Sequence, residues 1–330
     1  MAGGAPILSL RDLRVTFPTP AGPARAVRGV DLDVFAGESV AVVGESGSGK
    51  SVTMLATLGL LSQAEISGSV RWGNTELVGA SADTLRSVRG RRISMVFQDP
   101  MTSLNPVLTV GKQMALVMKA HQPKLGKKEL RAKAIDLLNQ VTIAQADRRI
   151  DAYPHELSGG MRQRVMIAMS IANDPEVLIA DEPTTALDVT VQAQIMELLR
   201  NLREEKNLAL VLITHDLGVV AGSADRVAVM YAGRVVERAP VLDVFARPQH
   251  PYTTALLECL PRLDQRKDVV SSIGGTPPNP ADLPPGCPFA PRCPRAVDQC
   301  SAQEPVLVPM GTSDVACSVV SDGATAGASA

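Results

Sequence analysis

"SVAVVGESGSGKS", residues 39–51, decides the fold. Its first part, "SVAVVG" (39–44), is a short, continuous apolar run rich in valine, the pattern of a strand buried on both faces. Its second part, Gly44-Glu45-Ser46-Gly47-Ser48-Gly49-Lys50-Ser51, fits G-x-x-x-x-G-K-[ST], and a helix is expected from Lys50 to Leu61. The glycines let the backbone curl into a nest of N–H donors around phosphate oxygens, and the helix that follows adds its positive end. Lys50 then places a point charge on the β- and γ-phosphates of a nucleotide, and Ser51 ligates Mg²⁺. A glycine-rich turn with a solvated lysine is the plainer reading of the same residues, and the strand–loop–helix context disfavours it.

Working outward, "ILSLRDLRVTF" (7–17) and "ARAVRGVDLDV" (24–34) alternate as strands do, across the turn-forming "PTPAGP". "VLIAD" (177–181) and "LALVLIT" (208–214) are two further buried-strand candidates. Between them Val191, Ile195, Leu198, Leu199 and Leu202 fall on one helical face. Strand–helix–strand order implies a right-handed crossover and a parallel sheet. Residues 106–150 read as helical and largely strandless, and "RVAVMYAGRVVERA" (226–239) as a hairpin. The expectation is an α/β domain over 1–240 with a helical subdomain at about 99–157. Proline and glycine interrupt almost every turn after residue 240, so 241–330 reads as a small irregular extension. "SDGATAGASA" at its end reads as a disordered tail.

Composition excludes several classes. The 330 residues are enough for a large core, and 45% are hydrophobic. The 33 basic residues balance 34 acidic ones, so no overall charge points to nucleic acid or an anionic membrane. Aromatics at 3% leave few platforms for stacking bases. No apolar run is long enough to span a bilayer, and "MAGGAPILSLRDLRV" lacks the pattern of a secretory signal. Five cysteines, an odd number, without an export signal suit a reducing cytoplasm.

"VLIADE" (177–182) ends a buried strand with two carboxylates. Asp181 is suited to hold Mg²⁺, directly or through water, and Glu182 to act as general base on an attacking water. Alone, such residues are as often helix caps or solvated loop charges; beside a phosphate loop they gain meaning. "LSGGMRQR" (157–164) precedes an apolar helix, and Ser158, Gly159 and Gly160 form a helix start with exposed N–H groups.

With that tetrapeptide, residues 1–240 resemble the ATP-binding-cassette ATPases. The phosphate loop, Gln98 in "VFQDP", "LSGGM", "VLIADE", "TALD" (185–188) and "ITHD" (213–216) occur in the family's order. The resemblance implies that two such domains meet head to tail, each phosphate loop facing the partner's signature helix, with ATP as the glue. It implies Glu182 as base, and His215 as the contact to the γ-phosphate that holds water and base in register. Gln98 touches Mg²⁺ or the water and senses a membrane partner, and Asp188 links the two sites. Phe17 resembles the aromatic that stacks on adenine; a core phenylalanine is the alternative.

Longer phrases narrow the group. "VFQDPMTSLNPVLTVGKQ" (96–113), "TTALDVTVQAQIMELL" (184–199), "HPYTTALLECLP" (250–261) and "GCPFAPRC" (286–293) resemble the ATPase subunits of oligopeptide and dipeptide importers. The implied partners are a second, related but non-identical ATPase subunit, two integral-membrane permeases and an extracytoplasmic substrate-binding protein, with no nucleic acid. The implied place is the cytoplasmic face of the inner membrane, held peripherally. Importers of nickel, glutathione or oligosaccharides share much of this wording. A soluble ATPase of translation, chromosome organisation or iron–sulfur assembly is the alternative from another class.

"GCPFAPRCPRAVDQC" (286–300) holds Cys287, Cys293 and Cys300, and Cys317 follows. Four thiolates match the coordination of structural Zn²⁺ or an iron–sulfur cluster. The wide spacing, without C-x-x-C, suits a 4Fe–4S cube better than zinc, and unmetallated thiols remain the third reading. The resemblance also implies a 4Fe–4S centre. Its expected role is to staple an extension that lacks an apolar core of its own. Cys259 reads as an ordinary buried thiol.

Overall fold

The structure, a computed structural model, describes residues 4–185, 187–260 and 273–320. The expected disordered tail (321–330) and Ala186 of "TALD" lie outside the described residues. Strands β1 (Leu8–Thr19), β2 (Gly22–Val34) and β3 (Ser39–Val43) precede helix α1 (Lys50–Thr57). β4 (Glu65–Trp72), β5 (Thr75–Glu76), α2 (Ala82–Val88) and β6 (Ile93–Val96) follow. Helices α3 (Pro100–Ser103), α4 (Val110–His121), α5 (Lys127–Gln140), α6 (Ala146–Arg149) and α7 (Gly159–Ile171) lead to β7 (Val177–Asp181), α8 (Val189–Lys206) and β8 (Ala209–Thr214). The chain continues through α9 (Leu217–Val220), β9 (Arg226–Tyr231), β10 (Arg234–Pro240), α10 (Val241–Ala246), α11 (Pro251–Glu258), α12 (Asp298–Ala302), β11 (Val308–Met310) and β12 (Ser313–Val315).

Two compact units emerge, one of residues up to 7, 34–38 and 80–212, the other of 8–33, 39–79 and 213 onward. In the first, β6 and β7 run parallel with Ile93 beside Val177 and Val96 beside Ala180, and both strands are buried throughout. Their unbroken apolar sequence is what a strand covered on both faces requires. α8 buries Ile195, Leu198, Leu199 and Leu202, the expected face, with Val191 half-buried. It stops at Asn207, whose left-handed backbone (φ 49°) ends the helix. Between 99 and 157 the described residues form helices and no strand. Met114 and Met118 of α4 and Leu130, Leu137 and Leu138 of α5 are buried there.

In the second unit, one sheet has the order β2-β1-β4-β5, with β1 and β4 antiparallel and a bulge between Arg11 and Arg14. A second run of strands has the order β11-β12-β10-β9-β3, in which β3 and β9 are parallel and β9 and β10 form the expected hairpin. α1 is shorter than the sequence reading, ending at Thr57 rather than Leu61. Gly59 takes a left-handed φ of 61°, its N–H bonds Ala56 O at 2.9 Å, and Leu60 N–H bonds Leu55 O at 2.9 Å. This double bond pattern caps the helix at a glycine.

The extension also departs from its reading as irregular. β12 pairs with β10 (Glu237 beside Val315, Arg238 beside Asp314), and β11 pairs with β12. Arg238 fixes that register by donating to Asp314 Oδ2 at 2.6 Å. Nor does it lack an apolar anchor: Phe289, 1% exposed, packs with Tyr231, Tyr252 and Val229 in one cluster. The expectation that only a staple could order this segment is therefore corrected. Its core is shared with β9 and α11.

His250 fastens α11 into this cluster. Its Nδ1 accepts from Tyr252 N–H at 3.0 Å, its own N–H donates to Glu237 Oε2 at 2.9 Å, and its ring bonds the Ala316 backbone. Burial lowers its pKa to about 4, with the Ala316 bond opposing, so the ring is neutral in the folded chain. The unfolded chain binds a proton near pH 6.5, so the unfolded state gains protons first as pH falls. Stability is thus complete above about pH 6.5 and falls by about 3 kcal/mol as pH drops to about 4. Urea midpoints measured from pH 7 to pH 4 should show this slope, and His250→Gln should flatten it.

Candidate nucleotide site

In the second unit the expected phosphate loop joins β3 to α1. Gly44 takes φ 152°, and a Cβ there would lie 2.2 Å from the Met230 carbonyl oxygen. Gly49 takes φ 100° at the N-cap, and a Cβ there would lie 2.5 Å from Ala26 O. No side chain can occupy either position without moving backbone, so the loop is tight by construction. Lys50 is buried and folds back over the loop, its Nζ donating to Gly44 O at 2.7 Å and Glu45 O at 2.9 Å. Ser51 follows in the first turn of α1.

The loop fits an anion. No side chain caps the N-terminus of α1, so the helix start is open to an anion. The Ser48 hydroxyl is buried with no hydrogen-bond partner among the described residues. A buried lysine, a helix start without a side-chain cap and an orphaned hydroxyl together fit a phosphate group.

Two side chains outside the motif hold this loop, and the sequence reading assigned neither. The Glu45 N–H donates to the Tyr252 hydroxyl at 2.8 Å. Arg292 donates to both Glu45 carboxylate oxygens, at 2.6 and 2.9 Å. "HPY" was visible as a phrase, but nothing in its spacing indicated that its tyrosine reaches a glycine loop. His215 follows β8 in this unit and is exposed, while Asp216 behind it accepts from Gly218 N–H at 2.8 Å. Phe17 lies half-buried on β1, outside the core.

In the first unit, Asp181 ends β7 and is buried. Glu182 follows with φ 45°, a left-handed backbone that a residue with a side chain rarely adopts. That turn swings its carboxylate away from the strand line, where Oε2 accepts from Gln98 Nε2 at 2.7 Å and from Thr185 Oγ1 at 2.9 Å. Sequence reasoning named Gln98 and Glu182 separately; the structure joins them. It adds Thr185, which the sequence reading had not singled out.

The signature residues start α7 at the surface. The Ser158 hydroxyl accepts from Met161 N–H at 3.3 Å, and Ser158 and Gly159 are exposed. Gly160 packs so closely on α8 that a Cβ would lie 2.8 Å from Val191 Cγ1. Asp188 caps α8 by accepting from Val191 N–H at 2.9 Å. The signature turn and the first turn of α8 are thereby packed as one piece.

The tail cysteines lie near one another. Burial raises the Cys287 thiol pKa, the Phe289 and Ala290 backbone groups oppose this, and nearby Cys300 and Cys317 add to it. Burial likewise raises Cys293, against the Arg295 backbone and with contributions from Cys317 and Cys300. Among the described residues, no three His, Cys, Asp or Glu side chains are arranged to hold a metal ion. The arrangement that a single zinc ion requires is therefore not reproduced. Cys287 and Cys293 are held toward their neutral form, and a neutral thiol packs as a small apolar group. Cys259 is half-buried rather than buried.

Comparison with known proteins follows this geometry. A family model described as "ABC transporter" matches residues 27–185, and one described as "Oligopeptide/dipeptide transporter, C-terminal region" matches residues 236–300. The oligopeptide transport ATP-binding protein AppD of Bacillus subtilis is 48% identical over 305 residues, covering 92% of this chain and 93% of that protein. The chain belongs to the ABC transporter ATP-binding family. The matched C-terminal region places this cassette in the family's oligopeptide/dipeptide group. OppD of Escherichia coli is 50% identical, covering 91% of the cassette and 89% of that protein. OppD of Mycobacterium tuberculosis is 53% identical over 310 residues, but the cassette spans about half that relative's length, 51%. A solved structure, the dimeric post-hydrolysis state of the ATP-binding cassette MJ0796 bound to ADP and Pi, aligns with a TM-score of 0.64 at 32% identity. It covers 71% of this cassette and 98% of that chain. Among the described residues no helix is long and apolar enough to cross a membrane.

Proposed function

We propose that the cassette is the ATP-hydrolysing subunit of a peptide importer, held at the cytoplasmic face of the membrane by two permease subunits. A second, related cassette would complete the head-to-tail pair, and an extracytoplasmic binding protein would deliver the peptide. The reading treats 1–240 as the cassette proper and 241–330 as its extension. The observation that carries the proposal is the match of residues 236–300 to the oligopeptide/dipeptide transporter C-terminal region. That segment contains Tyr252, which bonds the phosphate loop itself.

Mg²⁺, when bound, draws charge from the γ-phosphate and the leaving oxygen. Lys50 and the loop N–H groups bind the phosphates, and Ser51, Gln98 and Asp181 are the residues suited to Mg²⁺. Glu182 accepts the proton of the water that attacks the γ-phosphorus, and ADP departs with the bridging oxygen. Gln98 and Thr185, both bonded to Glu182, fix its orientation. His215 contacts the γ-phosphate, Phe17 stacks on adenine, and Ser158, Gly159 and Gly160 serve the partner's nucleotide, with Asp188 linking the two sites. In permease-containing vesicles, ATP turnover should rise when peptide-loaded binding protein is added. Stimulation by a nickel-, glutathione- or oligosaccharide-loaded protein instead would reassign the substrate, and turnover indifferent to permease would favour a soluble ATPase.

An iron–sulfur centre on Cys287, Cys293, Cys300 and Cys317 is the finer part of this proposal. It is supported by ligand count and by the nearness of Cys300 and Cys317 to Cys287 and Cys293. Anoxically purified protein should contain about four irons and four sulfides per chain. Cys293→Ser should lose them. About one zinc per chain would change the chemistry to a single ion, and absence of both metals would leave plain thiols.

A further inference from the structure

We propose that Arg292 and Tyr252 are positioning residues that hold the phosphate loop through Glu45, so that nucleotide affinity depends on the C-terminal extension. The inference rests on the nucleotide-binding reading above. Every polar group of Glu45 is committed. Its N–H goes outward to Tyr252 Oη at 2.8 Å, and its carboxylate goes outward to Arg292 as a two-point pair. Its carbonyl goes inward to Lys50 Nζ at 2.9 Å and also accepts from Ser48 N–H at 3.2 Å. Glu45 is thus the junction between the extension and the lysine that must meet phosphate.

The Arg292 side chain is 4% exposed, against 25% for Glu45. A desolvated, bidentate guanidinium–carboxylate pair is rigid in direction as well as strong. Tyr231 supports the same guanidinium, with its hydroxyl 3.3 Å from Nη1 and its ring centroid 5.9 Å from Cζ. The carboxylate makes the pair more than a brace. Glu45 sits in a loop built for a polyphosphate, and without Arg292 its negative charge would repel that ligand at short range in a partly buried setting.

Arg292 also donates to Gly274 O at 2.8 Å and Ile273 O at 3.2 Å, so it organises its own segment as well. A purely architectural role and a loop-positioning role make different predictions. If Arg292 only braces the extension, its loss lowers stability and leaves nucleotide affinity alone. If it positions and neutralises Glu45, affinity falls, and removing the Glu45 charge restores part of it.

The test is calorimetric titration of the full-length chain with Mg·ADP, alongside thermal melts, for wild type, Tyr252→Phe, Arg292→Gln, Arg292→Lys and the double variant Glu45→Gln/Arg292→Gln. Arg292→Gln should weaken Mg·ADP about tenfold and Tyr252→Phe about threefold. Arg292→Lys should fall between Arg292→Gln and wild type, because lysine keeps the charge but not the fork. The double variant should bind Mg·ADP more tightly than Arg292→Gln alone. Tyr252→Phe removes a single oxygen and keeps the ring in its cluster, so it reports on the loop even where Arg292 variants fold poorly. Wild-type affinity in both Tyr252→Phe and Arg292→Gln, with or without lower melting temperatures, would overturn the proposal. So would a double variant weaker than Arg292→Gln. Wild-type protein that fails to bind Mg·ADP would overturn the nucleotide reading instead.

Discussion

Glu182→Gln is expected to lower ATP turnover by about 10³-fold while leaving nucleotide affinity within about twofold of wild type. The substitution keeps the volume of the side chain and one oxygen able to accept from Gln98 and Thr185, which both bond Glu182 Oε2. What it removes is the ability to take a proton from the attacking water. General-base loss is a transition-state effect, so it belongs in kcat and not in binding. The binding side of the prediction follows from location. The loop that grips phosphate is shaped by Gly44, by Lys50 bonded to Gly44 O and Glu45 O, and by Glu45 bonded to Tyr252. Steady-state ATPase assays with Mg·ATP titrations check both halves. A trapped, ATP-dependent dimer on gel filtration would agree with binding intact and cleavage lost. Hydrolysis at the wild-type rate would remove Glu182 as the base.

Phe289→Ala is expected to destabilise the chain by about 3–5 kcal/mol, the range for deleting a fully buried aromatic ring. Phe289 is 1% exposed and meets Tyr231 and Tyr252 edge-on, each with ring centroids 5.3 Å away, and His250 at 6.0 Å. Edge-to-face aromatic pairs add about 0.5–1.5 kcal/mol beyond area burial, so the loss should sit toward the upper end. The loss should fall first on residues 286–317, because Phe289 anchors them in a cluster that also draws on β3, α9, β9, β10, α10 and α11. Chemical denaturation followed by hydrogen exchange over 286–317 checks it. A midpoint within error of wild type would mean that the aromatic cluster does not hold the extension.

The phosphate loop, the two carboxylates at the end of β7 and the signature turn were legible in the sequence because their chemistry is local. Glycines in a tight loop, a lysine one residue later and a carboxylate at a strand end are contiguous constraints, written in neighbouring residues. The buried strands were legible for a related reason: β3, β7 and β8 are apolar at every or nearly every position, as strands covered on both faces are. α1 was read too long because the apolar run was weighed above the Gly59 that caps it.

Tertiary structure alone decided which of these residues touch. Gln98 meets Glu182 across 84 positions, and Arg292 meets Glu45 across 247. A hydrogen bond between distant side chains leaves no period and no spacing in a sequence; it exists only once folding has closed the loop between them. β11 and β12, three residues each, are too short to show alternation and form because β10 offers them its hydrogen-bonding edge. Phe289 stands alone in a proline-broken stretch, where one aromatic gives no pattern, and only the pocket beneath Tyr231 and Tyr252 makes it core. The sequence by itself determined the kind of chemistry, because phosphate binding is a local geometry. The grip of the extension on that chemistry was decided by the fold, because it depends on contacts between residues far apart along the chain.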